Sequence, residues 1–193
     1  MAKGNSMHNN SEQGYQRNSP PNNQQQNTGY NAYLSAMGYR ENYSLKCHGK
    51  DFAIEIKPDA TKANWHTVRI EAAKRINGQQ AYDWSNKISL QLTNIELPEV
   101  AAFFLTLTPS VLCNYHGSQN NKGFEGRFQN DSVFASLNES GKPKMGIKMS
   151  FADSMMFGHL CLSQYCFNFP HLTTDAAYNS FKLLGKRIGS SKG

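Results

Sequence analysis

Residues 82–92 read YDWSNKISLQL, an aromatic and basic cluster that runs directly into an alternating segment. Ile88, Leu90 and Leu92 alternate there with polar residues, which predicts a strand with one apolar face and one polar face. A Tyr and a Trp beside a strand often pack in the core or at the strand end. The same rings, followed by Lys87 and an exposed polar face, also suit a protein that holds unstacked bases and their phosphates.

Alternation with a period of two continues on both sides of this stretch. Residues 43–47 and 52–57 predict a hairpin around a polar turn, with Pro58 ending its second strand. An apolar helical turn is predicted over residues 97–105. The other strands are predicted at residues 67–72, 111–116, 132–138 and 144–151.

Two helices are predicted after the last strand. Asp153 is the expected cap of the first, which Pro170 ends, and Thr174 or Asp175 is the expected cap of the second, over residues 176–186. About seven or eight strands followed by two helices predict an α+β protein. The short connections between alternating strands predict antiparallel meanders with one face in the core.

Composition divides the chain into a leader and one domain. Before Leu34 there is no Val, Ile, Leu, Phe, Trp or Cys, so residues 1–38 are expected to be a disordered tail rich in Asn, Gln, Ser and Gly. Residues 39–188 are expected to form a single domain, and residues 189–193 a flexible C-terminus. The formal net charge of +6 indicates a polyanionic partner.

The cellular compartment of the protein is predicted from the number and spacing of its cysteines and from the length of its apolar segments. The four cysteines are too few and scattered for a disulfide scaffold, so they are expected to be mostly buried free thiols. No run approaches the ~20 apolar residues of a membrane span. The N-terminus has no apolar signal core and no Arg-rich amphipathic pattern. A soluble, cytoplasmic protein without a membrane partner is therefore expected.

No enzyme motif stands out. The histidines show no H-x-x-x-H or H-E-x-x-H spacing, and neither a P-loop nor a G-x-G-x-x-G is present. The aspartates lie in separate predicted turns, so a metal-dependent nuclease would have to assemble its carboxylates by folding alone. That alternative stays open, but we predict no catalytic residue, no metal site and no cofactor.

Basic and aromatic residues instead recur on the predicted strands. A single lysine on a strand is usually a solvated residue or guards an edge. Many cations interleaved with rings favour a single-stranded nucleic acid, since every base has a face on which it can stack. The candidate nucleic-acid-binding residues are Lys46, Lys50, Phe52, Trp65, Arg69, Tyr82, Trp84, Lys87, Tyr115, Lys144 and Lys148.

Several segments together resemble the Whirly family of single-stranded-DNA-binding proteins. Residues 82–87 are similar to the start of that family's central strand, and the apolar segment 100–105 and the strand at 111–116 follow in the family's order. Phe167, Asn168 and Phe169 look like its C-terminal helix. The resemblance implies two antiparallel four-stranded β-sheets packed across each other, a C-terminal helix-loop-helix, a homotetramer, and sequence-independent protection or annealing of exposed strands.

The resemblance also implies particular residues. Plant members carry Lys-Gly-Lys-Ala-Ala-Leu in the first hairpin, where this chain reads HGKDFA at residues 48–53, so Lys50 is carried over as a contact. Kinetoplastid guide-RNA-binding proteins share the fold, so RNA binding or annealing is the alternative to DNA binding, and a purely structural assembly protein is a third. The wide apolar stripe of the helix pair predicts subunit contacts at Leu160, Phe167, Phe181 and Leu184.

Overall fold

The computed structural model describes residues 23–190 together with Met1, and contacts between Cα atoms divide the chain into two units, Met1–Asn42 and Tyr43–Gly193. The first unit contains helix α1, Asn23–Ala36. Helix α1 lies within the segment predicted as a tail, and residues 2–22 of that segment are outside the described residues.

The second unit repeats one order of elements, four strands followed by a helix. Strands β1–β4 form the first antiparallel sheet (sheet 1) and β5–β8 the second (sheet 2), each in chain order, which confirms the predicted α+β architecture. The elements are β1 (Leu45–His48), β2 (Phe52–Ala60), β3 (His66–Lys74), β4 (Ile88–Gln91), α2 (Glu96–Phe104), β5 (Ser110–His116), β6 (Lys122–Gln129), β7 (Ser132–Glu139), β8 (Met145–Met149), α3 (Phe151–Phe167) and α4 (Thr174–Ser190).

Pro58 does not end its strand, contrary to the sequence prediction. Strand β2 continues to Ala60, and Pro58 lies opposite Val68 of β3. Strand β1 pairs with β2 only up to Ile56, so the edge of β2 beyond that residue needs no backbone donor toward β1. A proline is tolerated at such a position because its missing N–H breaks no ladder.

The core lies between the two sheets and around α2. The inner faces carry buried residues such as Ile56 and Ile70 on sheet 1 and Leu137 and Ile147 on sheet 2. Helix α2 is buried along most of its length and packs against β5, α3 and α4. A Cβ at Gly126 would lie 2.3 Å from the Phe103 ring, so this glycine lets the helix approach strand β6 closely.

The C-terminal helices are held to the core by both apolar and polar contacts. Ser150, and not the predicted Asp153, caps α3 by accepting the Asp153 backbone N–H at 3.1 Å. At the other end, the Asn168 side chain accepts from the His66 backbone N–H at 2.8 Å and donates to the His66 carbonyl at 2.9 Å. This pair of bonds fastens the end of α3 to the start of β3.

Among the residues that the structure describes, no helix is both long and apolar enough to cross a membrane. Residues 191–193 of the predicted flexible C-terminus lie outside the described part of the chain, while α4 itself extends to Ser190.

Candidate nucleic-acid interface

The loop between β3 and β4 brings the aromatic residues of the opening motif to one end of sheet 1. An antiparallel bridge pairs Arg75 with Tyr82, which closes the loop on itself. Trp84 follows in a single 3-10 turn that Asp83 caps, since Asp83 accepts from the Ser85 backbone N–H at 3.1 Å and from the Asn86 side chain at 2.7 Å. The motif therefore builds a fixed turn and not the start of a long strand.

Tyr82 joins this loop to the hairpin of β1 and β2. Its hydroxyl donates to the Gly49 carbonyl at 2.7 Å, and its ring stacks on His48 with 5.4 Å between centroids. Arg75 is fixed by two carbonyls from different loops, with Nε donating to Gln79 at 2.9 Å and Nη1 to Lys50 at 3.2 Å. A cavity of 480 Å³, here called the aromatic pocket, is lined by His48, Arg75, Gln80, Ala81, Tyr82 and Trp84.

Two lysines of the β1–β2 hairpin lie next to residues that line the aromatic pocket. The Lys46 ammonium lies 5.3 Å from the Trp84 ring centroid, within the range of a cation–π contact. Lys50 is exposed in the hairpin turn next to Gly49. Half-buried rings beside ammonium groups can hold a base by stacking and its phosphate by charge. The structure thus brings together Lys46, Lys50, Tyr82 and Trp84 of the predicted residues.

Sequence reasoning missed His48 and Arg75 as parts of this pocket. His48 replaces the first lysine of the plant motif, yet it sits on the same face as Lys46, two residues earlier on β1. Arg75 lies just after β3 in a polar connection, and only the bridge to Tyr82 turns it toward the pocket. Alternation alone could have placed His48, whereas no local pattern indicates the bridge.

The outer face of sheet 1, the face opposite the core, pairs its cations with carboxylates. Lys57 and Lys87 both contact Glu71, with Nζ to Oε2 distances of 3.0 and 2.7 Å. Lys46 lies 3.6 Å from Glu55, and Arg69 lies 2.5 Å from Asp59. Lys87 and Arg69, two predicted phosphate contacts, are therefore in ion pairs with residues of their own sheet.

Glu71 is the most deeply buried carboxylate of that face, with 2 % of its side chain exposed. It also accepts from the Ser89 hydroxyl at 2.9 Å. Burial alone would raise the pKa of Glu71, but the hydrogen bond from Lys87 and the charge and hydrogen bond of Lys57 outweigh it and lower the pKa. Glu71 consequently stays ionised at neutral pH and holds both ammonium groups.

The outer face of sheet 2 is more open. The Arg127 guanidinium lies 4.6 Å from the Phe134 ring centroid, and Leu112 is 59 % exposed. Lys144 contacts Glu125, while Lys148 lies 3.3 Å from Asp131 in an exposed ion pair. Lys144 and Lys148 thus lie on a different sheet from the aromatic pocket, so the predicted basic residues form two groups.

Three predicted contact residues lie away from both groups. Trp65 packs edge-on against Phe169 at 5.6 Å between centroids, and its indole N–H is buried with no hydrogen-bond partner in the described structure. Phe52 shares the core-facing side of β2 with Ile54. Tyr115 is 79 % exposed beside an irregularity in the pairing of β5, with a positive φ of 64°.

Of the four predicted subunit-contact residues, two are buried within the subunit and two are at least partly exposed. Leu160 and Phe181 are buried within this subunit, where Phe181 packs edge-on against Tyr165 at 5.0 Å between centroids. They hold the helices to the core and are not available to a partner. Phe167 is 40 % exposed and Leu184 is half-buried. Phe167 also lines a 610 Å³ groove between α3, α4 and their connection.

Neither a family model nor a curated protein matches this chain.

Within residues 23–190, no three His, Cys, Asp or Glu side chains are grouped closely enough to hold a metal ion. Of the four cysteines, Cys113 and Cys161 are buried and Cys47 and Cys166 are half-buried, all as free thiols. Burial raises the pKa of Cys47 to about 11, with the Asp153 charge adding to the effect, so this thiol is protonated at neutral pH.

Proposed function

We propose that this chain binds single-stranded nucleic acid, with DNA favoured, and that the aromatic pocket at the end of sheet 1 receives a base. The observation that carries the proposal is the grouping of accessible rings with a cation in one place, with Lys46 beside Trp84 and Tyr82 stacked on His48. Stacking of one base on an aromatic side chain is worth about 1 to 3 kcal/mol and tolerates any sequence.

The geometry favours a single strand over a duplex. A base within a duplex already has both faces covered and presents only its edge, whereas contact with the Trp84 ring requires an open base face. Tyr82 and Arg75 are fixed by backbone carbonyls before any ligand arrives. Such preorganisation reduces the entropy lost on binding.

The two tryptophans provide a direct test, because Trp84 lines the pocket and Trp65 does not. A Trp65→Phe variant keeps only the Trp84 signal, and a Trp84→Phe variant keeps only the Trp65 signal. We expect single-stranded DNA to quench the fluorescence of the first variant and to leave the second nearly unchanged. Quenching of Trp65 alone would place the nucleic acid elsewhere on the protein.

The nucleic-acid class is tested by titrating labelled single-stranded DNA, duplex DNA and RNA of one sequence at two salt concentrations. We expect the single strand to bind more tightly than the duplex, with affinity falling as salt rises because phosphate contacts release counterions. Equal affinity for duplex and single strand contradicts the proposal. Tighter binding to RNA than to DNA at both salt concentrations identifies the alternative, an RNA-binding or RNA-annealing factor.

We further propose that the protein acts as a homotetramer that protects or anneals exposed strands, assembled through the accessible side of the helix pair. Met156 and Phe167 on α3 and Leu183 on α4 are exposed apolar residues that support such an interface. Light scattering of the unmodified protein and of Phe167→Glu tests it. We expect a tetramer and a smaller species, respectively, with unchanged circular dichroism, and a monomeric unmodified protein contradicts this assembly.

A further inference from the structure

The outer face of sheet 1 is ordered in rows that run across the strands. The row nearest the aromatic pocket is His48, Ala53 and Ala73. The next row is Lys46, Glu55, Glu71 and Ser89, as the cross-strand pairs show. A nucleic-acid strand that left the pocket along the β-strands would therefore meet two carboxylates first.

On this outer face each carboxylate is less exposed to solvent than the cations that contact it. The side chains of Glu55 and Glu71 are 12 % and 2 % exposed, while those of Lys46 and Lys87 are 42 % and 34 % exposed. Glu71 holds Lys57 and Lys87 together, and its remaining oxygen accepts from Ser89. A phosphate that approached either lysine would come within a few ångströms of an ionised, poorly screened carboxylate.

We infer that Glu71, assisted by Glu55, is a specificity-determining residue that keeps the phosphate backbone off the middle of sheet 1 and so limits the bound strand to the end with the aromatic pocket. Of the described side chains on this face, the cations Lys46, Lys57, Arg69 and Lys87 are matched against the carboxylates Glu55, Asp59 and Glu71. Their charges leave a net of only +1. The inference rests on the proposed function.

An opposite role for Glu71 makes the opposite prediction. If Glu71 served to orient Lys57 and Lys87 toward a phosphate, its removal would weaken binding, because two flexible ammonium groups would lose their fixed positions. If Glu71 repels the backbone, its removal strengthens binding, because the ammonium groups turn toward the ligand. The sign of the change in affinity decides between the two roles.

The experiment compares the unmodified protein with Glu71→Gln, which keeps the shape of the side chain, removes its charge and leaves one carbonyl oxygen as an acceptor. Fluorescence anisotropy is measured on oligothymidylates of about 6 and about 20 nucleotides, one near the low end of common single-strand site sizes and one beyond their upper end. We expect Glu71→Gln to bind the long strand more tightly, with little change for the short one. The plot of log Kobs against log salt becomes steeper by about 0.7 for each lysine that gains a phosphate.

Asp175→Asn is the matched control, since it removes the same charge at the exposed start of α4. A gain equal in both variants would reflect net charge alone and would overturn the inference, as would unchanged or weaker binding by Glu71→Gln.

Lys87→Gln gives an independent reading that does not depend on the folding of Glu71→Gln. With Glu71 in place, we expect its salt dependence to match that of the unmodified protein. A slope flatter by about 0.7 would show that Lys87 already contacts a phosphate, and would overturn the inference. Failure of the proposed function is distinct, since the unmodified protein would then not bind either oligonucleotide.

Discussion

The two halves of the larger unit use one order of elements, four antiparallel strands and a helix, but place charge and apolar surface differently. In the first half the outer sheet face is covered by ion pairs around Glu71, and the following helix α2 is almost wholly buried. In the second half the outer face carries the half-exposed Phe134, and helix α3 exposes Met155 and Met156. The alternation of apolar and polar residues along the chain predicts the order of the strands. What each sheet surface can bind depends on which side chains become neighbours on adjacent strands.

The largest expected difference separates the two sides of α3. Leu160→Asp places a charge where the side chain is buried against the core, and an unpaired buried charge costs about 4 kcal/mol or more. We expect this variant not to fold, as seen by the loss of cooperative thermal unfolding. Ala152→Asp, at an exposed position in the first turn of α3, should unfold within about 0.5 kcal/mol of the unmodified protein. Similar losses in both variants would mean that the exposed side is also covered.

The second difference separates the rings of the two sheets. Trp84→Ala removes a stacking surface from the aromatic pocket and should weaken single-strand affinity by roughly 2 kcal/mol, or about thirtyfold. Phe134→Ala removes a ring from the outer face of sheet 2. It should change the affinity by less than about twofold, because the proposed site does not place a base against this ring. Anisotropy titrations measure both, and a larger loss from Phe134→Ala would move the site to sheet 2.

The third difference concerns pH. The pKa of Glu71 is lower in the folded state than in the unfolded chain. At a pH between these two pKa values, the unfolded chain therefore binds more protons than the folded protein. The stabilisation is therefore present at neutral pH and is lost as pH falls through the folded pKa. We expect Glu71→Gln to lower stability on the order of 1 to 2 kcal/mol at neutral pH, and by less at an acidic pH below the ordinary range of a carboxyl group.

Melting temperatures at the two pH values measure this effect. Asp131→Asn, which alters a solvated pair on the second half, is the control and should show little change at either pH. An equal loss for Glu71→Gln at both pH values would mean that the carboxylate contributes by packing alone.

The smallest expected effect separates single lysines. Lys50→Ala, next to the aromatic pocket, should weaken binding to every sequence alike and reduce the salt slope by about 0.7, the value of one phosphate contact on a single strand. Lys148→Ala, on the outer face of sheet 2, should leave the slope unchanged. A flatter slope from Lys148→Ala and not from Lys50→Ala would reverse the assignment of the two faces.

The sequence predicted the fold better than the site. The positions of the strands follow from alternation, because residues such as Ile54 and Ile70 must face the same core. Which lysines are held in ion pairs does not follow, because Glu71 meets Lys87 only when β3 and β4 take one register. The same holds for Leu160, since a wide apolar stripe does not tell which of its residues are buried within the subunit.

The two hydrogen bonds between the Asn168 side chain and the His66 backbone, here called the Asn168 clamp, bear on the route by which the protein folds. Its bonds to His66 join residues 102 positions apart in the chain, and closing so long a loop costs entropy that only later contacts recover. We expect this clamp to form after the folding transition state. Asn168→Ala should then accelerate unfolding while leaving the refolding rate almost unchanged, which a chevron analysis measures. We therefore expect this side chain to control the lifetime of the native state more than its rate of formation.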